Sequence, residues 1–135
     1  MEEREMLVTF PGGSRVDARY KGFTVQTDQP VYAGGEGTAP APFDLFLASL
    51  ATCAGYYVLA FCRERGIPTE NASLVMRTSK DPETKRIVKI SLEILLPPGF
   101  PEKYKNAVIK AADSCAVRVH IQNPPAFETE VIIRA

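Results

Sequence analysis

The side chains of this chain best suited to nucleophilic or redox work are three cysteines, Cys53, Cys62 and Cys115, with a single histidine, His120, as the one imidazole. A thiol attacks, ligates metal or exchanges electrons as the thiolate, so its surroundings decide whether it does anything. A structural zinc site takes about four Cys/His ligands at close spacing. No CxxC occurs here, so a zinc site is not expected. The N-terminus, MEEREMLVTF, opens on acids without a long apolar run and reads as no signal peptide. An odd number of cysteines in that setting points to a reducing, cytoplasmic compartment and not to a disulfide scaffold.

The elements that must position these thiols follow from periodicity. Residues 6–10 alternate and read as a strand; PGG at 11–13 is a turn. Val16, Ala18 and Tyr20 alternate with Arg15, Asp17, Arg19 and Lys21, a strand with one polar face. Lys21-Gly22 turns the chain into a third strand over 23–27, giving an antiparallel meander. Residues 28–42, DQPVYAGGEGTAPAP, are a Gly/Pro loop long enough to suggest a functional one. Pro42 and Asp44 suit the start of a helix and Gly66 its stop. Two alternating runs over 73–79 and 86–96 flank the polar turn DPETK, and an amphipathic helix is expected over 101–112. Asp113-Ser114 caps a short helical turn from Cys115, Pro124-Pro125 ends it, and 127–133 alternates as a closing strand. The expected order is βββ–α–ββ–α–α–β, an α+β fold with antiparallel sheet in one domain over 1–135.

The first helix, FDLFLASLATCAGYYVLAFCRERG, carries no charge from Leu45 to Cys62. Eighteen uncharged residues approach the length of a bilayer crossing, but Ser49, Thr52, Gly55 and several alanines dilute the run and no anchors precede it. A buried helix is expected instead of a membrane span. A helix apolar all round must be covered all round, and 135 residues can hardly enclose one of this length, so a homodimer is expected. Sixteen basic residues balance sixteen acidic ones, which gives no electrostatic reason to expect nucleic acid or anionic lipid as partner and leaves self-association unopposed.

Cys53 and Cys62 are nine residues apart and fall on opposite helix faces. Cys62, beside Arg63, reads as packing. Phe46, Ser49, Leu50, Tyr56 and Tyr57 surround Cys53 at helical spacing. Cys115 is expected near a helix N-terminus, where free amides favour a thiolate. A buried free cysteine also behaves as a small hydrophobe, so packing and a working pair both stand at this point. His120 lies five residues after Cys115, about 140° round a helix by its pitch, and reads as structural.

The Gly/Pro loop leading into a long apolar helix, AGGEGTAPAPFDLFLASLATC, and a second cysteine in AADSCAVRVHIQNPP together resemble the OsmC/Ohr family, over essentially the whole chain. The resemblance implies an intertwined homodimer with sheets wrapped round two long central helices. It implies that Cys53 is the peroxidatic thiol and Cys115 the resolving one of a peroxidase acting on small apolar hydroperoxides, recharged by an external dithiol and needing no cofactor. In the family's peroxidases an arginine from the early strands and a glutamate about ten residues before the first cysteine activate the thiol. Here Phe43 and Asp44 stand near the glutamate's place, and Tyr20 near the arginine's, with Arg19 beside it. Arg19 and Glu36 are the candidates for those roles; Arg19 equally fits the solvated polar face of its strand. These departures resemble the family's less characterised OsmC-like branch. Two other functions are compatible with the same residues: a module binding an apolar ligand in the dimer cleft, and a thiol–disulfide switch.

Overall fold

The computed structural model describes residues 2–134. The chain divides into two compact units, Met1–Ala48 and Ser49–Ala135, with the boundary inside the long helix.

The first unit is built on β1 (Leu7–Gly12), β2 (Arg15–Tyr20) and β3 (Phe23–Thr27), an antiparallel meander in the order β1-β2-β3. Its second turn is a two-residue hairpin. Lys21 and Gly22 both take positive φ, 50° and 80°, the geometry that matches the right-handed twist of paired strands. In register, Ala18 lies between Val8 and Val25, and Arg19 between Leu7 and Thr24. One face therefore carries Val8, Ala18 and Val25, and the other carries Arg19 and Asp17 with Thr9, Thr24, Gln26 and the apolar Leu7.

The Gly/Pro loop that follows is not loose. Asp28, 1% exposed, accepts hydrogen bonds from Thr38 Oγ1 at 2.6 Å, Gln29 N at 2.7 Å, Thr38 N at 3.0 Å and Glu36 N at 3.3 Å. Its own N–H donates to the Pro40 carbonyl at 3.2 Å. A Cβ at Gly35 would lie 1.9 Å from the Gln29 oxygen, so the chain can close over the carboxylate only with glycine there.

From the loop rises α1 (Pro42–Glu64), with Asp44 in its first turn and Arg63 in its last. In the second unit, β4 (Ser73–Lys80) and β5 (Ile87–Leu95) pair antiparallel, Leu74 opposite Ile94 and Met76 opposite Leu92. A 3-10 turn (Glu102–Tyr104) leads into α2 (Lys105–Asp113), and α3 (Ala116–Gln122) follows after two residues. The core is Ala54, Val58, Phe61 and Cys62 of α1 against Val108 and Ala112 of α2 and Cys115, with Leu74, Leu92 and Ile94 closing it from the sheet.

Two expectations need correction. The helix expected over 101–112 starts with the 3-10 turn, and its regular part begins only at Lys105. The closing strand expected over 127–133 does not form: the order is βββ–α–ββ–α–α, and residues 124–134 carry no assigned strand. Alternation produces a strand only where an edge exists to complete its hydrogen bonds. Among the described residues no ladder reaches this segment, and Phe127, Val131, Ile132 and Ile133 are exposed.

The helix α1 is the described helix that by length and composition could cross a membrane. Its packing against α2 and the β4–β5 sheet is that of a core element. Even so, only 28% of its most apolar stretch is buried within one chain.

Candidate functional site

The site grows out of the junction between α2 and α3. Helix α2 ends at Asp113, and the next helix starts at Ala116 with Cys115 as its N-cap, in an extended conformation at φ −52° and ψ 130°. Cys115 Sγ accepts from the Arg118 backbone N–H at 3.4 Å, a thiol in the place usually held by a Ser or Asp oxygen. The first turn of α3 is thereby fixed with its N–H groups directed at the neighbouring helix α1. There they meet Cys53.

Cys53 and Cys115 are both free thiols, side by side with a hydrogen bond between their sulfurs. Their titrations are pushed in opposite directions. At Cys53, burial pushes the thiol up, but the amide of Val117, the thiol of Cys115 and the amide of Ala116 together outweigh it, and the result lies below the ordinary thiol value. At Cys115 burial again raises the value. The Arg118 amide opposes it, while the Cys53 sulfur, accepting the hydrogen bond and carrying the charge, pushes it further up. The helix-start amides expected to activate Cys115 are thus shared: those of Arg118 and Val117 pull it down, those of Val117 and Ala116 favour charge on Cys53, and Cys115 stays raised by its burial and by that charge. Cys53 is half-buried and Cys115 buried. A partly exposed sulfur of lowered pKa thus lies beside a buried one of raised pKa.

A cavity of about 330 Å³ lies against this junction. Leu50 and Ala54 of α1 and Met76 and Leu92 of the sheet supply its apolar wall, and Cys115 and the Asp113–Arg118 pair also line it. Arg118 Nη1 stands 2.7 Å from Asp113 Oδ1.

The other residues singled out from the sequence fall as follows. Cys62 is fully buried in the core; burial raises its pKa against the pull of Arg65, and it is an inert packing thiol. His120 places Nδ1 2.7 Å from the Ala116 carbonyl within its own helix, which is a structural use. Arg19 is exposed on β2, and Glu36 is exposed in the Asp28 loop, where its backbone N–H joins the carboxylate cradle. Both belong to the first unit, and the two thiols to the second. Sequence reasoning missed the amides of Ala116 and Val117, which no residue type announces, and the Asp113–Arg118 pair, whose i,i+5 spacing is not a helical contact.

This fold and a cysteine pair set at a helix junction define a class of two-thiol α+β proteins. The chain belongs to the OsmC family: the family model for OsmC-like proteins matches residues 35–130. Solved structures agree in fold. A Psychrobacter arcticus protein ascribed to osmotic stress and detoxification responses has a TM-score of 0.73 at 22% identity, covering 88% of each chain. The OsmC-like protein of Mycoplasma pneumoniae gives 0.67 at 16% identity, over 91% of this chain and 89% of that one. An organic hydroperoxide resistance protein OsmC of Legionella pneumophila gives 0.56 at 19% identity, over 90% and 92%. No curated protein matches the sequence.

Proposed function

We propose that this chain is a thiol-dependent redox protein that reduces organic hydroperoxides through a Cys53–Cys115 cycle. The observation that carries the reading is the adjacent pair of free thiols with oppositely displaced pKa values. The Cys53 thiolate attacks the distal peroxide oxygen; the O–O bond breaks, an alcohol leaves after taking a proton, and Cys53 becomes a sulfenic acid. The Cys115 thiol then attacks that sulfur, expelling water and closing a disulfide. An external dithiol restores both thiols by exchange, leaving as its own disulfide. The apolar wall of the neighbouring cavity, which Cys115 lines, supports an alkyl-bearing substrate over hydrogen peroxide. Arg19, with Glu36 as its carboxylate partner, enters as the charge pair of the site on the strength of the family resemblance. The neutral donors around Cys53 make that charge an addition to the thiolate's stabilisation and not its only source.

The working unit we propose is a homodimer. The open surface of α1 and the exposed apolar alternation at 127–133 both ask for a second copy. A reducing cytoplasmic setting fits the free thiols.

The test is turnover of cumene or tert-butyl hydroperoxide with a dithiol reductant. Wild type should turn over, Cys53→Ser should lose activity by about 10³-fold or more, and Cys115→Ser should stop after one equivalent with a trappable sulfenate. Equal rates in wild type and Cys53→Ser would end the peroxidase reading.

One observation favours a second reading, thiol–disulfide exchange with another thiol partner. Among the described residues, every group that lowers the Cys53 pKa is neutral, and a thiolate without a cation is better matched to disulfides than to peroxide. Oxidation by a small disulfide outpacing oxidation by hydroperoxide would select it.

A further inference from the structure

Cys115 stands in a two-residue link, Ser114 and Cys115, between α2 and α3. A disulfide with Cys53 requires Cα atoms within about 7 Å and a restricted torsion. The angle held by this link therefore decides whether the two sulfurs can bond. Backbone hydrogen bonds tie the link to each helix in turn: Ser114 N–H donates to the Ala111 carbonyl at 3.1 Å and Cys115 N–H to the Ala112 carbonyl at 3.3 Å, while the Cys115 carbonyl accepts from Val119 N–H at 3.0 Å. None of these bonds runs directly from α2 to α3, and Ser114 Oγ, bonded to the Lys110 carbonyl at 2.9 Å, ties the link to α2 alone.

Arg118 is different because it has two handles. Its backbone N–H holds the Cys115 sulfur, and its guanidinium crosses the link to the Asp113 carboxylate at 2.7 Å. Among the described residues this is the side-chain ion pair that joins the last residue of α2 to α3. We propose that Arg118 and Asp113 are positioning residues for Cys115: their ion pair braces the α2–α3 link at the angle that presents the resolving sulfur to Cys53. The inference rests on the reading that Cys53 and Cys115 form a disulfide. When they do, two S–H bonds are lost and one S–S bond forms, and the oxidant takes up both hydrogens.

The side chains of Arg118 and Asp113 are 44% and 50% exposed. A pair so open to water carries the modest strength of surface ion pairs, so its loss should shift an equilibrium by about two- to five-fold and leave the fold intact.

The experiment equilibrates the whole protein with mixtures of reduced and oxidised dithiothreitol and measures the Cys53–Cys115 disulfide by thiol labelling and mass spectrometry. The disulfide:dithiol ratio at a fixed buffer should fall about two- to five-fold in Arg118→Gln and in Asp113→Asn, and no further in the double variant. Arg118→Lys should recover most of the loss, and melting temperatures should stay within about 4 °C of wild type. Ratios unchanged in both single variants, or losses that add in the double, overturn the brace. A wild type that forms no disulfide in this buffer overturns both the brace and the reading it rests on. A wild type that forms it with oxidised dithiothreitol but not with hydroperoxide removes the peroxidase alone, and the variant ratios still judge the brace.

Discussion

At the scale of single residues, the chemistry turns on where hydrogen-bond donors point. Cys53 and Cys115 are the same side chain in the same core, yet two amides and a thiol aimed at one of them separate their acidities. Alkylation by iodoacetamide should show this as a function of pH. Cys53 should gain reactivity at lower pH than a free thiol, Cys115 only at higher pH, and Cys62 least of all without unfolding. Replacing Cys115 by Ala removes one donor and should move the Cys53 profile upward. Asp28 offers a second residue-scale test. Hydrogen bonds, led by the Thr38 hydroxyl, lower its carboxyl from 3.8 to about 2. A depressed acid binds fewer protons folded than unfolded, so its stabilisation is complete above the unfolded value. It is lost as pH falls from about 4 toward 2. Asp28→Asn should lower the melting temperature at neutral pH and flatten the acid limb of stability, because its amide would face donors with a donor.

At the scale of elements, α1 is held by complementary volume. Val108 is 1% exposed between α1 and the sheet. Val108→Ala removes two methyl groups from that contact and should destabilise the chain by about 2 kcal/mol in a urea titration. The loop before α1 is held by its carboxylate cradle and by Gly35. Gly35→Ala forces a carbon into the Gln29 carbonyl, and thermal melting should drop as it does for Asp28→Asn, with the double variant less than additive because both act on one cradle. The single-variant losses adding in full would show that the cradle is not a unit.

At the scale of the molecule, the proposed homodimer would cover apolar surface that one chain leaves open. Phe127, Val131 and Ile133 are 87%, 84% and 90% exposed, and each outer strand of the two sheets pairs on one side only. A near-neutral chain with that much apolar surface is expected to associate. Light scattering at micromolar concentration should give twice the 14.8 kDa chain mass, and removal of residues 124–135 should shift it toward monomer. A monomer at both lengths would count against the homodimer.

The residues alone determined the antiparallel meander, the long apolar helix with its cysteine and the β4–β5 hairpin, because period, turn chemistry and residue type are local properties; the pairing of Cys53 with Cys115 was implied by the family resemblance and not by spacing. They did not reveal the Asp28 cradle, whose donors are backbone groups brought together by a folded loop. Nor did they reveal which cysteine the α3 amides serve, since that depends on which helix lies in front of them. The strand expected at 127–133 shows the same boundary from the other side. A pattern can prepare a segment to pair, but only tertiary structure supplies the edge, because a β-ladder's hydrogen bonds belong to two segments and never to one.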